Sequence, residues 1–158
     1  MRHGPAEDRA ASGRDFDRAL TPAGRERVRD VARTLHEADE GPRVIVSSPL
    51  VRALQTAEIV AAMTGAEVEV RRELSPEGEA LPLVQERLAA RSRRLMLVGH
   101  EPDLANLAAH LAARAFPAGL QKAMVVGLGI DEEDPTKLPM SLRFVLDPKS
   151  LAWLEDAR

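Results

Sequence analysis

The chain has 158 residues, of which 44% are hydrophobic and 30% are charged, and its formal net charge at pH 7 is −3. This length and composition predict a single soluble domain that spans residues 1–158 around one core. Because the chain has no cysteine, a disulfide scaffold, a thiolate zinc site and a cysteine nucleophile are excluded. The slightly acidic balance gives no reason to expect nucleic acid as a partner.

The sequence also argues against a membrane location. No apolar run approaches the roughly 18 residues that a membrane-spanning helix needs. Met1 is followed at once by charged and polar residues, so no signal peptide is visible. We therefore expect a cytoplasmic monomer with no membrane partner.

The first third of the chain begins with a polar loop and continues with a helix. Residues 5–20 have no hydrophobic period, which predicts a loop, and we interpret Asp15-Phe16-Asp17 within it as solvated. Thr21 and Pro22 suit the N-cap and the first position of a helix that should end near Glu40, before a Gly-Pro pair.

Strands and helices then alternate. The sequence predicts strands at 44–46, 68–71, 95–98, 123–130 and 141–146. It predicts a helix capped by Ser47-Ser48-Pro49 that runs to about Thr64, a helix at 81–91 and a helix that begins at about Pro102. The runs at 44–46 and 95–98 lack polar alternation, which indicates strands buried on both faces. The pattern predicts an α/β fold, a three-layer α/β/α sandwich with a mostly parallel sheet.

Polar residues follow two of the predicted strands. Ser47 and Ser48 end one strand, His100 ends another, and Arg52 lies in the first turn of the helix after the first strand. Ligands of such sheets bind beyond the carboxyl ends of the strands, so these residues should share one rim. An anion held by both Arg52 and the helix N-terminus would offset the unfavourable placement of a cation there.

Three segments, in this order, resemble the histidine phosphatase superfamily, also called phosphoglycerate mutase-like. They are Arg2-His3-Gly4, the block from Ser47-Ser48-Pro49 through Arg52 to Gln55-Thr56-Ala57, and Val98-Gly99-His100. The small size and the ending are similar to the short, SixA-like branch of phosphohistidine phosphatases. The resemblance implies that His3 is the nucleophile and that Arg2, Arg52 and His100 bind the phosphoryl oxygens. It also implies that no metal and no other cofactor takes part.

The resemblance leaves the proton donor open. Many relatives place a Glu or Asp in the loop after the third strand or beside the second histidine. Here Pro76 takes the loop position with Glu77 next to it, so Glu77 is our candidate donor. Glu101, Glu7 and Asp8 are further candidates.

The predicted function is hydrolysis of a phosphoryl group by a metal-independent phosphatase, through a phosphohistidine intermediate on His3. The predicted substrate is a phosphohistidine of a phosphotransfer or signalling protein. One alternative partner is a small phosphorylated molecule, hydrolysed as a phosphoester on the same fold. Two further hypotheses are a phosphate-binding relative without turnover and a structural α/β protein whose motifs match by accident.

The segment before Arg2-His3-Gly4 departs from the family. In the family this motif ends a buried apolar strand near the middle of the sheet, whereas only Met1 precedes it here. We therefore expect a truncated first strand that leaves His3 on a frayed terminus. A chain with about five added apolar residues should be more stable and more active, because buried backbone groups would gain partners.

Overall fold

The strands form two sheets. A computed structural model, which describes residues 1–154, has a parallel sheet in the order β2-β1-β3, made of β1 (Val44–Ser47), β2 (Glu67–Val70) and β3 (Leu95–Val98). An antiparallel sheet in the order β4-β5-β6 is made of β4 (Val125–Gly129), β5 (Ser141–Leu146) and β6 (Trp153–Leu154). The α/β prediction is confirmed: strands β1–β3 are parallel, whereas β4–β6 are antiparallel.

The helices lie between the strands along the chain. They are α1 (Pro22–Glu37), α2 (Val51–Thr64), α3 (Ala80–Ala89) and α4 (Asp103–Ala112), and one turn of 3-10 helix covers Asp15–Asp17. Thr21 caps α1 by accepting a hydrogen bond from the Gly24 amide, and Gly65 ends α2 with a φ of 75°. The N-cap of α2 is Leu50, which makes no side-chain cap bond, so the predicted serine cap is wrong.

Alternate side chains of the strands pack against helices on opposite faces. Ile45 and Val98 pack in one cluster with the apolar faces of α1 and α2. Val46 packs against Leu83 of α3, and Leu97 lies among residues of α3 and α4. The helices thus cover both faces, which confirms the three-layer α/β/α arrangement.

Residues 1–3 bond to the end of β3 on one side and to the segment just before β4 on the other. On one side, the Met1 amine donates to the Leu97 carbonyl at 2.8 Å and the His3 amide donates to the Gly99 carbonyl at 3.1 Å, which continues a parallel ladder from β3. On the other side, the Ala123 amide donates to the His3 carbonyl at 3.0 Å. His3 is only 5% exposed, so the expectation of a frayed terminus is wrong.

A cavity of about 680 Å³ adjoins Met1 and is lined by residues of both β3 and β4, among them Leu95, Leu97, Val126 and Leu128. A strand that extended the ladder backwards from Met1 would enter this cavity. Residues 1–3 are therefore held by backbone bonds on both sides, next to this cavity. Within residues 1–154 no helix has the length and apolarity to cross a membrane.

Candidate active site

The rim of the parallel sheet brings His3, Arg52 and His100 together. His3 follows the short ladder on β3, His100 follows β3 itself, and Arg52 lies in the first turn of α2, after β1. The two histidine rings have centroids 5.2 Å apart, and the Arg52 Nε lies 3.4 Å from the His3 Nε2. All three residues are at most 5% exposed, so they form one buried polar cluster.

Arg2 joins this cluster from the short first strand. Its Nη1 donates to the Leu120 carbonyl at 2.7 Å, whereas its Nε is buried without a hydrogen-bond partner within the described chain. Burial lowers the pKa of Arg2, and the charge of Glu101 opposes that shift. The Glu101 carboxylate itself accepts from the Ala105 and Leu120 amides at 3.2 and 3.0 Å, so it ties the loop that holds Arg2 to α4.

The His3 ring is fixed in one tautomer. Its Nδ1 lies 2.7 Å from the Gly4 carbonyl oxygen, which can only accept, so Nδ1 carries the hydrogen and Nε2 carries the lone pair. Burial lowers the pKa of His3 to about 3, and the charges of His100, Arg52 and Arg2 add to this against the opposing bond to Gly4. The ring is therefore neutral at pH 7.

His100 presents a different pattern of contacts. Its Nε2 lies 2.8 Å from the Oγ of Ser48, a residue with no exposed surface. Its Nδ1 is buried and has no partner within residues 1–154. Burial and then the Arg52 charge lower the pKa of His100 to about 4, while Asp15 and Asp103 oppose the shift. A neutral His100 at pH 7 follows.

Asp15 is a contact of Arg52 that the sequence analysis missed. The Arg52 Nη1 donates to the Asp15 carbonyl at 2.9 Å, and its Nη2 donates to the Asp15 Oδ2 at 3.1 Å. A bond to Arg18, followed by the bond to Arg52, lowers the pKa of this carboxyl. The side chain is 61% exposed, as expected of a solvated loop, but no local signal reveals a partner 37 positions away.

Two side chains of α2, at the end of the motif that spans residues 47–57, bond to the segment that follows His3. The buried Thr56 hydroxyl accepts from the Gly4 amide at 3.0 Å and donates to the Arg52 carbonyl at 2.8 Å. The Gln55 Oε1 accepts from the Leu20 amide at 2.8 Å. These bonds hold the loop after His3 against the helix that carries Arg52. Both residues therefore fix the position of His3 relative to Arg52.

The structure does not bring Glu77 into this cluster. Glu77 is exposed, and its amide donates to the Asp103 Oδ2 at 3.0 Å. Within the described residues no hydrogen bond or ion pair joins its carboxylate to His3, Arg52 or His100. The same part of the chain contains no group of three or more His, Cys, Asp or Glu side chains that could hold a metal ion.

Residues 1–79 match the family model of the histidine phosphatase superfamily (branch 1). This segment includes Arg2, His3 and Arg52. An uncharacterized protein of Picosynechococcus sp. (strain ATCC 27264 / PCC 7002 / PR-6) is 40% identical in an alignment of 134 positions, and the match covers 81% of this chain and 81% of that one. The similarity therefore extends well past the first two motifs.

The fold is also similar to that of solved phosphatases. The structure of the protein histidine phosphatase SixA complexed with tungstate has a TM-score of 0.83 and 25% identity, and the match covers 96% of this chain and 97% of that one. Mycobacterial glucosyl-3-phosphoglycerate phosphatase has a TM-score of 0.68 and 22% identity over 89% of this chain and 93% of its own, which is a likeness of fold alone. The chain therefore belongs to the histidine phosphatase superfamily, and its activity class is that of a phosphatase.

Proposed function

We propose that the protein hydrolyses a phosphorylated substrate through a phosphohistidine intermediate on His3, with Arg2, Arg52 and His100 binding the phosphoryl oxygens. One observation carries the proposal. The bond from the His3 Nδ1 to Gly4 leaves the lone pair on Nε2, which lies 3.4 Å from the Arg52 Nε, in a cluster where buried nitrogens of Arg2 and His100 have no partner in the described chain. A phosphoryl group would give those donors the acceptors they lack.

In the first step, the Nε2 lone pair of His3 forms a bond to phosphorus while the bond from phosphorus to the leaving group breaks. The leaving atom keeps that electron pair and takes a proton from solvent water. In the second step, water attacks the phosphohistidine, the P–N bond breaks towards His3, and inorganic phosphate leaves. The two arginines neutralise the charge on the three equatorial oxygens, which is most of what phosphoryl transfer requires of a protein.

The low basicity of His3 fits this role at neutral pH. A protonated ring would have no lone pair on Nε2, and burial together with the nearby cations lowers the pKa of His3 to about 3. The nucleophile therefore needs no separate base to remove a proton before attack.

We infer that the substrate is a phosphohistidine carried by a phosphotransfer or signalling protein. The similar protein SixA is named a protein histidine phosphatase. The nitrogen that leaves a phosphoramidate is readily protonated, so such a substrate makes little demand on a proton donor. This agrees with the exposed position of Glu77, whose proposed role as donor rests on the resemblance alone.

Trapping of the intermediate tests the mechanism. The protein is incubated with a labelled phosphoryl donor and quenched in base, and the label is then tested for release by acid. We expect acid-labile label on the wild type, none on His3→Ala, and wild-type label on His110→Ala, since His110 is exposed on α4. Equal label on His3→Ala would refute the proposal, and phosphate binding without any label would indicate a non-catalytic relative.

The substrate class is tested by comparing kcat/KM for a phosphohistidine protein with kcat/KM for p-nitrophenyl phosphate. We expect the phosphohistidine protein to be preferred by at least about a hundredfold, or about 2.7 kcal/mol in transition-state binding. A preference for the small phosphoester would instead favour the alternative substrate class.

A further inference from the structure

Ser48 is a buried hydroxyl that the proposed mechanism does not use. It follows β1, it has no exposed surface, and its Oγ lies 2.8 Å from the His100 Nε2. The same oxygen accepts a hydrogen bond from the Leu50 amide at 3.3 Å. Ser48 therefore connects the backbone at the start of α2 with the ring of His100.

The direction of the Ser48–His100 bond follows from counting donors and acceptors. The Leu50 amide can only donate, so it takes one lone pair of the Ser48 oxygen. The hydroxyl hydrogen then needs an acceptor, and within residues 1–154 the His100 Nε2 is the acceptor in contact with it. If Nε2 carried a hydrogen instead, the buried Ser48 hydroxyl would have no acceptor for its hydrogen. Buried polar groups without a partner are rare, because each one destabilises the fold.

The other end of the ring completes the chain of bonds. When Nε2 accepts from Ser48, the hydrogen of the neutral His100 ring lies on Nδ1. This Nδ1 is the buried atom without a partner in the described residues. The chain of bonds thus runs from the Leu50 amide through Ser48 to His100 and ends in a buried N–H donor that has no partner in the described residues.

We propose that Ser48 is a positioning residue that holds His100 in the Nδ1–H tautomer, so that the neutral ring donates a hydrogen bond to the phosphoryl group. The inference rests on the proposed function for the identity of the acceptor, and it adds the means by which an uncharged histidine serves as a phosphate ligand. The pKa of His100, lowered to about 4, supports a neutral ring at pH 7. Ser48 itself does not touch the substrate.

The tautomer is read directly by long-range ¹H–¹⁵N correlation spectra of protein labelled with ¹⁵N-histidine, without substrate. We expect the His100 ring of the wild type to show the Nδ1–H pattern at pH 7. In Ser48→Ala we expect a mixture with the Nε2–H form, and in Ser48→Thr, which keeps the hydroxyl, the wild-type pattern. An Nε2–H ring in the wild type, or an unchanged ring in Ser48→Ala, overturns the proposal.

Binding of inorganic phosphate and turnover provide the second readout. We expect Ser48→Ala to weaken phosphate binding and raise KM about tenfold, the equivalent of one hydrogen bond, with a smaller change in kcat. Ser47→Ala is the matched control, since Ser47 is equally buried but its hydroxyl donates to the Ser48 carbonyl. Equal weakening in both variants would mean a packing role for Ser48 and would overturn the proposal.

These measurements separate this inference from the mechanism on which it rests. If phosphate binds with the expected Ser48 dependence but no phosphohistidine forms on His3, the mechanism fails and the role of Ser48 stands. If the phosphohistidine forms but the His100 tautomer does not depend on Ser48, the mechanism stands and the role of Ser48 fails.

Discussion

The two histidines of the site place the same kind of ring in opposite orientations. His3 donates from Nδ1 to the Gly4 carbonyl, which leaves the Nε2 lone pair beside Arg52. His100 contacts Ser48 through Nε2, which leaves Nδ1 as the atom without a partner in the described residues. In the proposed mechanism one ring therefore attacks phosphorus and the other donates to its oxygens. The difference shows that the group bonded to the far nitrogen decides what a histidine can do.

The supports of the two rings differ as well. His100 follows β3, a complete strand that pairs with β1. His3 is the last of residues 1–3, whose bonds to β3 and Gly99 start at the Met1 amine, beside the 680 Å³ cavity. His100 is thus held by a strand within a sheet, whereas His3 is held by single backbone bonds to Gly99 and Ala123 on its two sides.

Removal of each ring should have the largest effect and should separate the two roles. We expect His3→Ala to lower kcat at least about 10⁴-fold, because no other lone pair replaces Nε2. We expect His100→Ala to lower kcat/KM by about 10²-fold, as for the loss of one preorganised donor, while the phosphohistidine still forms. Steady-state kinetics measures the loss of rate in each variant, and trapping measures the phosphohistidine label. If both variants fold and lose the label equally, the two histidines do not have separate roles.

A longer first strand should strengthen the support of His3. We expect a variant with about five apolar residues added before Met1 to melt at least about 5 °C higher and to turn over faster. The addition replaces a desolvated amine, whose pKa burial lowers to about 5, by an ordinary amide, and we expect the added side chains to pack into the cavity that Met1 lines. A polar extension of equal length is the control. Equal melting temperature and turnover in the apolar variant and the original chain would refute the expectation.

The stability of the fold should depend on pH through the same two rings. The histidine pKa values lie near 3 and 4 in the folded protein, against 6.5 for an ordinary histidine, so the unfolded chain binds more protons between about pH 4 and 6.5. Stability should therefore fall as the pH falls through this window, by up to about 1.4 kcal/mol per pH unit for each ring. The Met1 amine, lowered from 8.0 to about 5, adds a slope of the same sign between pH 5 and 8.

Urea unfolding between pH 4.5 and 8 measures these slopes. His3→Ala and His100→Ala should each flatten the curve below pH 6.5, and the variant extended before Met1 should flatten it above that pH. A stability that stays constant from pH 8 to 4.5 would mean that the rings and the amine titrate as they do in the unfolded chain.

We expect the smallest effect at Asp15, whose carboxylate accepts a hydrogen bond from the Arg52 guanidinium. We expect Asp15→Asn to lower KM two- to fivefold with little change in kcat, because an exposed charge that opposes an anionic substrate is removed. Asp17→Asn is the matched control, since Asp17 lies in the same turn and bonds instead to Ser12 and Arg14. An increase in KM for Asp15→Asn would show that the carboxylate orients Arg52 more than it competes with substrate.

Features that depend on near neighbours along the chain could be predicted from the sequence alone. The Thr21 cap and the Pro22 start of α1, the stop of α2 at Gly65 and the buried run of β1 are all local signals. Strand ends in a parallel sheet share a rim, so the convergence of Arg52 and His100 also followed from the order of elements. The Arg2-His3-Gly4 resemblance added His3, which sequence periodicity alone does not mark.

Contacts between distant segments became visible only in the folded chain. The Met1 amine meets a carbonyl 96 positions away, and Asp15 meets Arg52 across 37 positions; neither pairing leaves a periodic trace. The antiparallel half, the firm hold on His3 and the bond between Ser48 and His100 belong to the same class. Helix caps and apolar periods depend on residues within one or two turns along the chain. Which ring nitrogen of each histidine is left available depends instead on the group that folding brings to the other nitrogen.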